Sequence, residues 1–351
     1  MILITGGAGF VGSSLALRLK AEYPTRAVVA FDNLKRRGSE LNLPRLRKAG
    51  IQFVHGDVRN PTDLEFPDVE WIIECSAEPS ALAGRDGNTD YLVHTNLLGT
   101  HHCLELARRQ RAGMIFLSTS RVYPVKTIKQ LHFHSRQSRF ELAEPQATPG
   151  VSAEGIAEDF PLEGSRTLYG ATKLASELLI TEYVDSFDLP IVINRCGVLT
   201  GPWQMGKVDQ GVVVLWMARH LFGGELSYIG YNGTGLQVRD MLHVEDLADL
   251  VCLQMNQITD HQGKIYNVGG GPQISVSLQE LTAWCEQITG NSIKIVPDLK
   301  ERAGDVPWFI TDTRKIQEAT GWQPRRDLES VLNEIHDWIK EHQEQLRPIL
   351  S

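Results

Sequence analysis

The first half of the chain alternates short apolar, β-branched runs with longer stretches in which apolar side chains recur every three or four positions. Runs of this length, bounded by glycine, proline or aspartate, read as strands buried on both faces, and the periodic stretches read as the helices that cover them. Strands are predicted at Ile2-Leu3-Ile4, Val28-Val29-Ala30-Phe31, Ile51-Gln52-Phe53-Val54, Trp71-Ile72-Ile73-Glu74-Cys75, Met114 to Leu117 and Ile191-Val192-Ile193. Helices are predicted over residues 11–21, 96–109 and 169–187. This rhythm specifies an α/β fold, a Rossmann doubly wound parallel sheet.

The rhythm halts between Pro124 and Arg166, where His, Arg, Gln, Glu and Pro accumulate with little periodicity. A loop this long is either functional or loosely ordered. Beyond Val198 the elements shorten, with strands near Tyr228-Ile229 and Ile293 to Ile295 and helices near residues 244–256, 278–289 and 328–342. The expected organisation is a dinucleotide-binding domain at 1–197 with a long insertion at about 124–166. A smaller α/β substrate-binding domain at 198–351 follows, some of whose segments return to the main sheet.

Composition narrows the functional classes. With 351 residues, 42% hydrophobic and 22% charged, the chain can bury a large core. Its net charge of −8 opposes generic binding to a phosphate backbone, so nucleic acid is not an expected partner. The five cysteines are odd in number and lack metal-ligand spacing. His132 and His134 flank Phe133 without a carboxylate or thiol to complete a set, so no metal is expected. The opening run Met1 to Ile4 passes straight into glycines, and no later run approaches membrane-spanning length. A cytoplasmic protein with no membrane partner is the expectation.

Thr5-Gly6-Gly7-Ala8-Gly9-Phe10-Val11-Gly12 follows the first strand and opens the first helix. Glycines there permit a tight turn and let a pyrophosphate approach the helix N-terminus, which makes Gly6, Gly9, Phe10, Val11 and Gly12 cofactor-binding candidates. Asp32 closes the second strand at the spacing expected of a carboxylate that holds an adenosine ribose, and its charge disfavours a 2′-phosphate. Lys35-Arg36-Arg37 pulls toward NADP, yet a solvated basic loop is the commoner meaning of such a run, so NAD is expected. After the third strand, Asp57 can reach an adenine amino group, the alternative being a plain turn aspartate. Ser76, Ala77 and Glu78 follow the fourth strand, where ligands of parallel sheets collect. Asn33, Val58, Asn96 and Ser118 complete the cofactor-binding candidates.

Tyr169 and Lys173 stand at i and i+4, on one face of a predicted helix. A phenol near its free pKa of about 10 is a poor base at neutral pH, and a nearby cation favours the phenolate. Leu117-Ser118-Thr119-Ser120 ends the fifth strand with hydroxyls that can bond substrate and phenol; simple capping is the alternative.

With the glycine turn, a strand-end Ser/Thr and Tyr-x-x-x-Lys in this order, the chain resembles the extended short-chain dehydrogenase/reductase family over nearly its whole length. Phe31-Asp32-Asn33-Leu34, Asp209-Gln210-Gly211, Gln237 to His243 and Tyr266-Asn267-Val268-Gly269-Gly270 narrow the likeness to its CDP-paratose (CDP-tyvelose) 2-epimerases. The resemblance implies an NAD-dependent epimerase that inverts carbon 2 of a CDP-sugar through a transient keto intermediate. It implies Tyr169 as base, Lys173 as the residue that lowers its pKa and holds the nicotinamide ribose, and Thr119 as assistant at the reacting hydroxyl. Glu78, Thr119, Gln210 and Arg239 become substrate-binding candidates, Arg239 at the diphosphate, with a surface salt bridge as its other use. A homodimer through helices 96–109 and 169–187 is implied as well. Ser120-Arg121 stands where dehydratases of this superfamily carry an acidic pair, against 4,6-dehydration. The open alternatives are a UDP-sugar 4-epimerase, another NAD-linked nucleotide-sugar oxidoreductase, and a non-catalytic NAD-sensing protein. Trp203 and Trp216 are candidates for a sugar or base pocket, although tryptophan more often fills a core.

Overall fold

The structure is a computed structural model that describes residues 1–85, 87–208 and 210–351. The chain forms two compact units. The first comprises Met1–Val122, Leu168–Arg195 and Val244–Tyr266; the second comprises Tyr123–Thr167, Cys196–His243 and Asn267–Ser351.

The first unit is built on a seven-stranded sheet. Its strands are β1 (Ile2–Thr5), β2 (Val28–Asp32), β3 (Gln52–His55), β4 (Trp71–Glu74), β5 (Gly113–Thr119), β6 (Ile191–Cys196) and β7 (Ile265–Val268). Their spatial order is β7-β6-β5-β4-β1-β2-β3. The pairs β1/β2, β2/β3, β1/β4 and β4/β5 run parallel. Every residue of β1, β5 and β6 is buried, which is why the sequence shows a short apolar run in each rather than an alternating pattern. Helices α1 (Phe10–Glu22), α2 (Gly99–Gln110), α3 (Leu168–Phe187) and α4 (Val244–Asn256) belong to the same unit. The segment carrying α4 returns to it late in the sequence; there Arg18 of α1 bonds Asp249, and Tyr23 donates to Asn256 at 2.8 Å.

In the second unit, Val238–His243 lies parallel to Val198–Thr200 and Trp308–Phe309 and antiparallel to Ser275–Ser277. The strands expected near residues 228 and 295 form one parallel pair, Glu225–Ile229 with Lys294–Asp298.

The stretch expected as an irregular insertion differs from that expectation. It contains a short helix, Val125–Lys129, and two hairpins, Phe133–Ser135 with Phe140–Leu142 and Val151–Ser152 with Gly155–Ile156, and it folds with the second unit. Long-range polar bonds are among its anchors, and these leave no apolar periodicity to read. Arg139 donates to Glu280 at 3.1 and 2.9 Å and to the Ser275 carbonyl at 2.8 Å. Ser277, the N-cap of Leu278–Thr289, donates its hydroxyl to the Ser138 carbonyl at 2.5 Å. Asn267 donates its backbone N–H to Glu158 at 2.6 Å and its side-chain amide to the Ile156 carbonyl at 2.8 Å.

Replacing Arg139 with methionine keeps the aliphatic stem and removes these bonds. Urea denaturation is expected to show a loss of about 1–3 kcal/mol, with faster proteolytic cleavage between residues 130 and 160 than in the parent.

Candidate functional site

The glycine turn between β1 and α1 is closed on itself. Gly6 has φ +64°, and the Gly9 N–H donates to the Gly6 carbonyl at 3.0 Å. A Cβ on Gly12 would lie 2.1 Å from that same oxygen, so only glycine fits. Helix α1 starts at Phe10 with Gly9 as N-cap, no side-chain cap and no acidic residue in its first turn. No side chain among the described residues caps its leading N–H groups, a donor set that suits a pyrophosphate.

Asp32 ends β2 with Oδ2 accepting the Ala8 N–H at 3.1 Å and Oδ1 accepting the Leu34 N–H at 2.8 Å. Burial raises its pKa, and the backbone bonds partly offset that rise. Asn33 beside it donates to Asp57 at 2.9 Å. Burial pushes the Asp57 carboxyl up, but hydrogen bonds from Arg59 and Asn33 outweigh it and hold the group at about 2. Asp57 thus sits in a charged turn, bonded by the Arg59 guanidinium at 3.0 and 2.7 Å. Tyr91, which the sequence did not single out, takes cations on its ring: Lys35 Nζ lies 2.9 Å and Arg59 Cζ 4.6 Å from its centroid. Val58 is buried, and its carbonyl lies 2.7 Å from His102 Nδ1.

Beyond β4, Ser76 is buried while Ala77 and Glu78 are half-buried. Asn96 lies in a π-helical turn, His94–Leu98, that leads into α2. Its side chain accepts the Glu78 N–H at 2.7 Å and donates to the Glu78 carbonyl and to Thr172 Oγ1, each at 3.2 Å. The loop after β4 and helix α3 are thereby tied to one buried amide.

Helix α3 carries Tyr169, half-buried in its first turn, then Lys173 and Glu177 at successive i+4 steps on the same face. Lys173 is only 2% exposed, its ammonium 3.9 Å from the centroid of the Phe116 ring. Glu177 forms a buried ion pair with Arg195 of β6 at 2.8 Å. Ser118 donates its hydroxyl to Glu177 at 2.5 Å, so the structure commits this side chain to the pair beneath the helix. Thr119, the last residue of β5, accepts the Arg121 N–H at 3.2 Å. Glu177 and Arg195 were missed at the level of sequence. The available signal was a charged residue inside a strand whose other positions are buried, which is tolerated only when its charge is paired.

In the second unit, Arg239 donates to Asp305 at 2.6 Å and to the Val306 carbonyl at 2.7 Å. Arg302 stands on the same turn, where its carbonyl accepts the Asp305 N–H, and it too escaped the sequence reading. Gln210 has a buried Oε1 without a hydrogen-bond partner among the described residues; its neighbour Asp209 lies outside those residues. Trp203 packs on Trp338 and His342, and Trp216 donates to Thr282 at 3.0 Å, so both indoles serve packing.

Residues 2–269 match the NAD dependent epimerase/dehydratase family. The chain is 28% identical to CDP-paratose 2-epimerase of Salmonella typhi, over 96% of this chain and 98% of that protein. It is 26% identical to UDP-glucose 4-epimerase of Halalkalibacterium halodurans, over 97% and 96% of the two chains. Among solved structures it resembles dTDP-glucose 4,6-dehydratase from Streptomyces venezuelae with NAD bound, with a TM-score of 0.80, 26% identity and 99% of each chain covered.

Removing one partner of a buried ion pair strands the other. Arg195→Met is expected to cost about 3–5 kcal/mol in equilibrium unfolding, and adding Glu177→Leu should recover much of that loss.

Proposed function

The chain belongs to the NAD dependent epimerase/dehydratase family, as an NAD-dependent enzyme of the extended short-chain dehydrogenase/reductase type, and from that premise we propose that it is a nucleotide-sugar epimerase inverting carbon 2 of a CDP-sugar. The observation that carries this reading is Tyr169 placed one helical turn before a buried lysine ammonium. Full-length likeness to a CDP-paratose 2-epimerase supports the nucleotide and the carbon. Ser120-Arg121, without a carboxylate after Thr119, supports epimerisation over dehydration.

When bound, NAD supplies the acceptor and donor of hydride at the sugar carbon. The chain's own residues do the rest. The turn Gly6 to Gly12 and the start of α1, at Phe10 and Val11, would hold the pyrophosphate, and Asp32 with Asn33 would hold the adenosine ribose. The Tyr169 phenol takes the proton of the reacting hydroxyl and later returns it, with Thr119 as its hydrogen-bonding neighbour. Lys173 favours the phenolate by Coulomb attraction. Arg239 receives the substrate diphosphate by exchanging its Asp305 partner for a phosphate of the same charge sign. Gln210 Oε1 and Glu78 offer polar contacts to the sugar.

Epimerisation at carbon 4 of a UDP-sugar is the second reading, favoured by the likeness to UDP-glucose 4-epimerase. A non-catalytic NAD sensor has no use for the paired Tyr169 and Lys173. Exposed apolar residues on α3, Leu178 at 64% and Phe187 at 49%, support a homodimer through this helix. No disulfide joins the cysteines among the described residues, which supports a place in the reducing cytoplasm.

Incubation with CDP- and UDP-hexoses, followed by analysis of the released sugars, separates these readings: a 2-epimer from the CDP-sugar is expected, and a 4-epimer or an accumulating keto sugar refutes it. Tyr169→Phe should reduce turnover at least about 100-fold while calorimetry shows NAD binding retained. Asp32→Ala should weaken NAD roughly 10-fold or more, through lost charge-assisted hydrogen bonds, and narrow its advantage over NADP.

A further inference from the structure

Thr5, Glu74 and Phe116 are register partners across β1, β4 and β5. Register partners on neighbouring strands send their side chains to the same face of a sheet. On that face stand Thr100 and Cys103 of α2 and Lys173 of α3. Glu74 is 1% exposed and Lys173 2%, so an acid and a base are buried together. Thr100 donates to Glu74 Oε2 at 3.3 Å, and Oε1 has no hydrogen-bond partner among the described residues. The ammonium of Lys173 rests over the ring of Phe116, the residue directly beside Glu74 in the sheet.

A buried ammonium needs an opposite charge close by, and a ring face supplies only part of it. Glu74 is a buried acid on the same face, and its carboxyl feels the charge of Lys173. Burial raises its pKa, while the charge of Lys173 and the bond from Thr100 act in the opposite sense. The remaining groups around the pair do not compete for the lysine. Burial pushes the Cys103 thiol well up, leaving it neutral, and Thr5 carries no charge. One turn along α3, the charge of Glu177 is taken by Arg195 and Ser118.

We propose that Glu74 is a positioning residue for the reaction: acting through Lys173, it holds the ammonium over Phe116 and sets how much of that charge reaches the phenol of Tyr169. The proposal rests on the reading of Tyr169 and Lys173 as the reacting pair. An ionised Glu74 cancels part of the lysine field, so neutralising it exposes Tyr169 to more positive charge and eases loss of the phenolic proton. Glu74 itself touches neither cofactor nor sugar in this role.

The test is a pH titration of the NAD-saturated protein, followed by the ultraviolet absorbance of tyrosinate. Subtracting the matching Tyr169→Phe protein isolates the Tyr169 signal. Glu74→Gln is expected to move its midpoint down by about 0.5–1 pH unit, and Glu74→Asp to return it toward the parent value. Thr100→Val removes the bond that favours the ionised carboxyl, so it should produce a smaller shift in the same direction and serves if Glu74→Gln does not fold. A midpoint that stays put or rises in a folded variant, with only the melting temperature lowered, would show Glu74 to be a packing residue and overturn the proposal. Undiminished sugar conversion by Tyr169→Phe is a separate result: it would remove the reacting pair, and the role of Glu74 with it.

Discussion

Charge carried under a parallel sheet must be neutralised where it lies, because neither water nor a flexible surface partner can reach it there. Helix α3 meets this condition at two successive turns. Lys173 rests on the Phe116 ring, on the sheet face that also carries Glu74, and Glu177 is matched by Arg195 and Ser118. The first charge lies one helical turn after Tyr169, and the second pins the helix to β5 and β6. A helix that must present a phenol at a constant height has reason to be fastened by charges rather than by interchangeable apolar contacts, since ion pairs and hydrogen bonds fix its rotation and register.

The same logic organises the loops at the ends of the strands. Asn96 uses both ends of its amide to join the loop after β4 to α3, and Asp32 accepts backbone N–H groups from the glycine turn and from its own loop. Each ligand-facing segment is thus held by a side chain that is itself buried or half-buried. Preorganisation of this kind lowers the cost of binding a ligand. The cations of the neighbouring loop are also spoken for: Lys35 and Arg59 lie on Tyr91, and Arg59 also pairs with Asp57. A basic run that in isolation suggests a phosphate site is spent, at Lys35, on an aromatic ring.

In the second unit, polar anchoring explains why a segment rich in His, Arg, Gln and Glu is nevertheless built of hairpins. Arg139, Glu158 and Asn267 make long-range bonds, and the strands they hold are two or three residues long. Arg239 belongs to the same economy of charge. Its ion pair with Asp305 keeps a half-buried guanidinium neutralised.

Some of this was already decided by the order of residues. Strands buried on both faces are mostly apolar, a tight turn against a helix N-terminus favours glycine, and residues four apart on a helix share a face; the apolar cores of β1, β2, β4, β5 and β6, the Gly6–Gly12 turn and the Tyr169/Lys173 pairing follow from those local rules. Tertiary structure decided what local rules do not reach. That Lys173 lies over Phe116, that Ser118 serves Glu177 and Arg195, that Tyr91 collects two cations and that the stretch after Pro124 joins the second unit all depend on groups far apart in sequence. Their contacts arise from the register of neighbouring strands and the docking of helices upon them, and a pairing of charges across that distance leaves no periodic trace along the chain.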